Sequence, residues 1–108
     1  MISFVQFQEM EIQIGTIRAV ERVPETDKLL KLSVEFGSGE MRQVISGIAE
    51  YVEPEALIGK QCPFVVNLEP RVIRGLESQG MILAASAPDG VFALLHPSQK
   101  LPGGTRVK

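Results

Sequence analysis

The chain is poor in the side chains that carry covalent and metal chemistry. It has one cysteine, one histidine, one tyrosine and no tryptophan among its 108 residues. A single cysteine, Cys62, excludes an internal disulfide framework and fits a reducing compartment. The lone His96 sits beside Pro97 in loop-like sequence, where a solvated ring is expected, and no Cys/His spacing offers a metal site. Ser46 and Ser78 have no evident base, and Cys62 lies in an apolar run where it packs as a small hydrophobe. Gly37-Ser38-Gly39 is too short for a phosphate loop. No enzyme, metal or cofactor is therefore expected. No apolar run approaches the roughly 20 residues that span a bilayer. The opening MISFVQFQEMEIQIG has no basic start, so it does not read as a signal peptide, and a cytoplasmic protein without a membrane partner is expected.

Positive charge is also scarce. The formal net charge is −2, which argues against indiscriminate nucleic-acid binding and against DNA as a partner. The charge is uneven, however. Residues 1–57 carry ten acids against five bases, and residues 58–108 carry three acids against six bases. A local cationic cluster can still attract phosphate.

What is present is a series of short strand patterns in one domain, residues 1–108. Ser3 can cap a short helix with Phe4, Phe7 and Met10 on one side. Ile12, Ile14, Thr16 and then Ile17, Val20 and Val23 alternate with one slip, which predicts a long strand bulged at Gly15. Leu30, Leu32, Val34 and Phe36 alternate with polar residues, Gly37-Ser38-Gly39 turns the chain, and Met41 to Ser46 returns. Glu53 to Gly59, with Pro near the start and Gly at the end, predicts one or two helical turns. Strands over Cys62–Leu68, Met81–Ser86 and Val91–Leu95 follow. A lone short helix between the third and fourth strands is the order of an OB-fold, an all-β, five-stranded Greek-key barrel, here with N- and C-terminal flanking segments. Closure removes the open edges that such strands would expose.

The connection NLEPRVIRGLESQGM, Asn67 to Met81, holds the most suggestive residues. In an OB-fold, the second and third strands and the loops joining strands one–two and four–five form the usual oligonucleotide face. That face would gather Lys28 and Lys31, Arg42 on the third strand, and Arg71 and Arg74 on the connection. Asn67, Ser78 and Gln79 add neutral hydrogen-bonding groups, and Met81 a polarizable apolar surface. The plainer readings are a solvated lysine face, local pairing of the arginines with Glu69 and Glu77, loop capping by Asn67 and Ser78, and a core Met81. With aromatics so few, recognition of a folded RNA by backbone and shape is favoured over stacking of single-stranded bases.

Several ordered blocks, FVQFQEMEIQIGTI, ETDKLLKLSVEFG, VISGIAEYVEPEALIGKQ, VVNLEPRVIRGLESQGMILAAS and LPGGTRV, resemble the tRNA-binding domain family. That family includes small free-standing bacterial tRNA-binding proteins, C-terminal domains of methionyl-tRNA synthetases and CsaA-type export chaperones. The resemblance implies an OB-fold and structure-specific binding of the outer corner of tRNA. It places the RNA-facing set on Lys28, Arg42, Asn67, Ser78 and Met81; Arg71 and Arg74 are added from charge and position. It also implies a homodimer formed by the segments around the barrel, with an aminoacyl-tRNA synthetase as a further partner. The alternative is a CsaA-like chaperone binding unfolded polypeptide along apolar residues near Phe4, Phe7 and Leu101.

Overall fold

The computed structural model describes all of residues 1–108. Its main sheet has five antiparallel strands: β1 (Ile12–Arg22), β2 (Leu30–Glu35), β3 (Met41–Ser46), β4 (Gln61–Val65) and, later in the chain, β7 (Met81–Ile82). They lie in the order β3-β2-β1-β4-β7 and curl into a nearly closed barrel, the OB-fold expected from the element order. Two hairpins are added to it. One is formed by β5 (Arg71–Ile73) and β6 (Leu76–Ser78), the other by β8 (Ala84–Ser86) and β9 (Phe92–Leu94). Helix α1 (Phe4–Gln8) precedes the barrel, and α2 (Pro54–Leu57) lies between β3 and β4.

Inward alternation builds the core. Leu30, Leu32 and Val34 of β2 are fully buried and meet Ile17, Val44, Cys62 and Phe64. Phe36 and Phe64 pack edge to face, 5.5 Å between centroids. Gly15 is where the sequence suggested a bulge, but its pairing with Cys62 is regular. The register shift falls two residues later, between Ile17 and Ala19, so that Arg18 is the extra residue. Gly15 is required for a different reason. A Cβ there would strike Val34 Cγ1 and come within 2.8 Å of Phe36 Cε1, so only glycine lets the strand pass over the core.

The termini are bound to the barrel. Ser3 and Gln6 form a reciprocal capping box at the start of α1. At the other end of α1, Arg106 Nη2 donates to the Gln8 carbonyl oxygen at 2.9 Å, a cation where the helix dipole favours one. The tail runs antiparallel to the start of β1. Ile14 N donates to Thr105 O, Gly104 N to Ile14 O and Val107 N to Ile12 O, each at 2.8 Å. Gln61 holds the preceding segment through two bonds to the Leu101 backbone.

The strands predicted over Cys62–Leu68 and Met81–Ser86 are shorter than their apolar runs. β4 ends at Val65, and the second run is split at Leu83, which leaves β7 to pair with β4 and β8 to turn outward with β9.

Candidate nucleic-acid interface

The connection between β4 and β7 is an ordered arm. After Pro70 the chain forms the β5–β6 hairpin, with Ile73 opposite Leu76, so Arg74-Gly75 is a two-residue turn. Both turn residues have positive φ, 53° at Arg74 and 78° at Gly75. That is the backbone a type I′ turn needs to match the strand twist. Glycine meets it freely, whereas an arginine in the left-handed region is strained. The turn therefore presents the Arg74 side chain at the tip of a projecting ribbon.

A seam of side-chain bonds holds this arm against β3, where the barrel would otherwise be open. Ser78 Oγ accepts from Ile45 N at 3.0 Å and donates to Gly80 O at 3.0 Å. Gln79 Oε1 accepts from Gln43 N at 2.9 Å, Gln43 Nε2 donates to Glu77 O at 2.9 Å, and Gln79 N donates to Gln43 O at 2.8 Å. Arg42 reaches across from β3: its Nη1 donates to Val66 O at 2.6 Å, its Nε to Glu40, and its guanidinium lies 5.8 Å from the Phe36 ring centroid. Asn67 ties the start of the connection to the N-terminal segment, accepting from Glu11 N at 2.8 Å and donating to Glu9 O at 2.7 Å.

The residues singled out by sequence thus divide. Ser78 is 5% exposed and its hydroxyl is fully engaged. Both polar ends of the Asn67 amide are in use, and Arg42 retains only Nη2 without a partner in the chain. These three build and hold the arm. Lys28, Arg71, Arg74 and Met81 are exposed, as is Asn67 despite its bonds. Neither Arg71 nor Arg74 has a carboxylate within 4.0 Å, so the predicted alternative of pairing with Glu69 and Glu77 is absent. Lys31, by contrast, is paired with Glu21 at 3.4 Å. Arg71, Ser78 and Met81 share a small cleft with Ile45, Leu68, Ile73 and the Glu69 carboxylate, which lies beyond 4.0 Å of Arg71.

Lys28 precedes β2, in the loop between β1 and β2. That loop is anchored by Val23 N to Leu29 O and by Ala49 N to Lys28 O. It lies at the end of β3 along which β6 is bonded, since Leu30 pairs with Ser46 and Ser78 bonds Ile45. Its sequence neighbours Glu25 and Asp27 lower the local potential, so the hairpin is the more cationic part of this surface.

Sequence reasoning missed Gln43. A glutamine at an outward position of a strand reads as solvent-facing polarity, and its partner lies 36 residues away. His96 is exposed, as expected, but one ring nitrogen is engaged: Nδ1 donates to Gln61 O at 2.8 Å, which fixes the tautomer. Cys62 is buried, and burial pushes its thiol up to about 11, partly offset by Lys60. It is an inert core thiol at neutral pH.

The seam yields a stability prediction. Ser78→Ala leaves the buried Ile45 amide without its acceptor, which should cost about 1–3 kcal/mol. Chemical denaturation should show a lower midpoint with an unchanged slope.

Comparison with known proteins places this architecture. A family model described as "Putative tRNA binding domain" matches residues 12–106. The chain belongs to the tRNA-binding domain family. It is 42% identical over 107 residues to a methionine–tRNA ligase of Porphyromonas gingivalis, an alignment covering 99% of this chain and 16% of that enzyme. The chain thus spans about one-sixth of the length of the curated relatives it matches. Among solved structures, a MetRS-related protein from Pyrococcus horikoshii superposes with a TM-score of 0.94 at 37% identity, covering 100% of this chain and 98% of that one. The chaperone CsaA from Bacillus anthracis superposes with a TM-score of 0.89 at 32% identity, covering 100% and 99%. Family members with this barrel therefore carry both a synthetase-related and a chaperone name.

Proposed function

We propose that the chain is a non-catalytic module that binds tRNA by its folded shape, with Arg71 and Arg74 of the β5–β6 hairpin, Lys28 and Met81 in contact with the RNA. Arg42, Asn67 and Ser78 hold the hairpin in place. The observation that carries this reading is the pair of guanidinium groups on the hairpin, exposed and with no carboxylate within 4.0 Å, in a chain of the tRNA-binding domain family. The left-handed backbone of Arg74 is a strain of the kind that collects at functional sites. Phosphate contacts through such groups give affinity that falls with salt and depends little on base sequence. Titration of bulk tRNA should therefore show binding that weakens as salt rises. Salt-independent affinity, or none at low salt, would remove the reading.

The module works as a homodimer in this proposal. Helix α1 has no fully buried residue, only Phe7 being half-buried against its own chain, and at five residues it is too short to be stable alone. Phe4, Phe7 and Met10 line a hollow with Val107, and Phe4 is 70% exposed. A second copy covering that face would remove a contiguous apolar patch from water. Two linked modules also raise the effective concentration of the second RNA contact. Phe4→Asp should halve the mass measured by light scattering; an unchanged mass would exclude this face from the interface. In a longer chain, the module would add tRNA affinity to a synthetase body, as the methionine–tRNA ligase relatives suggest.

The chaperone reading draws on the same apolar patch and on the CsaA neighbour. Suppression of client aggregation that tRNA does not compete with would favour it.

A further inference from the structure

A second polar groove, with a volume of about 760 Å³, lies beside the middle of β1, between the Gly59-Lys60 turn and the tail segment from His96 to Gly103. We propose that this groove takes a stretch of RNA phosphodiester backbone, as a second contact for the same tRNA; the inference rests on the tRNA reading above and extends it to another part of the barrel.

Arg18, Lys60 and Lys100 line the groove together with His96. Its one carboxylate, Glu35, is already paired with Arg18 at 2.8 Å. Arg18 is the extra residue of the β1 bulge, a device that re-aims a side chain. Lys60 and Lys100 have no acidic partner within 4.0 Å. Because His96 Nδ1 donates to Gln61 O, the free ring nitrogen is Nε2. The backbone N–H groups of His96, Ser98, Gln99 and Lys100 also have no acceptor within the protein. The groove therefore carries a surplus of positive charge, which is the chemistry that recognises phosphate, with unbonded loop N–H groups on its lining residues. It does so within an acidic chain, where these lysines would be isolated surface charges if they served only solubility.

The position suits one RNA held at two points. Gln61 begins β4 beside the groove, and β4 ends where the connection to the hairpin begins. Four residue steps, about 13 Å of extended strand, separate the groove end of β4 from the point where that connection leaves. The bases of residues 58–108 then fall into three groups: Arg71 and Arg74 on the hairpin, Lys60 and Lys100 in the groove, and Arg106 with Lys108 beside α1.

The test compares tRNA binding by the intact protein, Lys60→Ala/Lys100→Ala and Lys60→Arg/Lys100→Arg across a range of salt. If both lysines meet phosphates, the alanine pair lowers affinity about tenfold near 0.1 M salt and flattens the log–log salt slope by about 1.4–1.8, while the arginine pair retains both. The ring protons of His96, the sole histidine, give an unambiguous NMR signal that should shift when tRNA is added. Unchanged affinity and slope in the alanine pair, with tRNA still bound through the hairpin, would overturn the groove alone. A His96 signal that responds to inorganic phosphate but not to tRNA would do the same. Failure of the intact protein to bind tRNA would overturn both readings.

Discussion

Phe64→Ala should destabilise the protein by about 3–5 kcal/mol, the largest effect expected of any single substitution considered. Phe64 is fully buried on β4, next to the strand where Gly15 admits the Phe36 ring. Truncation removes the apolar burial, the edge-to-face contact with Phe36 and the packing that Val44 and Leu32 make around it. The barrel cannot collapse to fill the void without shifting strands that are fixed by ladder bonds on both sides. A domain of this size has roughly 5–15 kcal/mol of stability, so the variant loses a large fraction of it. Its melting temperature should fall by about 10–20 °C. Phe64→Leu keeps most of the volume and should fall by much less. Equal, small losses in both variants would mean that the barrel interior is not packed as described.

Reversing the hairpin charge should have the largest effect on function. Arg71→Glu/Arg74→Glu replaces two unpaired cations with two anions on an exposed ribbon. Loss of two phosphate contacts alone corresponds to about tenfold at moderate salt, and the repulsion added by two carboxylates should carry the loss to about a hundredfold or beyond. Thermal stability should change little, because neither side chain has an ion-pair partner to lose. Arg74→Gly is a useful companion. It relieves the left-handed strain at φ 53°, so it should hold or raise stability while weakening tRNA binding. A charge-reversed protein that binds tRNA as well as the parent would take the hairpin out of the interface.

These contrasts bear on what local sequence encodes. The capping box at Ser3 and Gln6, the Pro54-to-Gly59 frame of α2 and the alternation of β2 are contacts between near neighbours, and each is legible in a few residues. The order of elements was enough for the barrel. The bulge was misplaced because a glycine in a strand reads as irregularity, when here it clears space for Val34 and Phe36. The site was only partly legible. Asn67 meets Glu9 and Glu11 across more than fifty residues, and Ser78 meets Ile45 across 33. No local pattern distinguishes a serine that closes a barrel from one that faces a ligand. Arg42 reads as a free cation until its bond to the Val66 carbonyl is seen. The two arginines of the connection were legible as charge, but their freedom from Glu69 and Glu77 follows from the hairpin geometry, which sequence did not reveal.

The roles of the hairpin and the seam also differ in a measurable way. Substitutions at Ser78, Asn67 or Gln43 should weaken tRNA binding only as far as they loosen the arm, together with a loss of stability. Substitutions at Arg71 and Arg74 should separate the two properties.

The most direct measurement is amide NMR of the isotopically labelled protein with and without tRNA. The proposed interface predicts strong shifts or broadening at Arg71 to Gly75, in the loop bearing Lys28 and at Met81, reduced by added salt. Perturbation confined to α1 and the β8–β9 hairpin, with the signals of Arg71 to Gly75 unmoved at saturating tRNA, would contradict it.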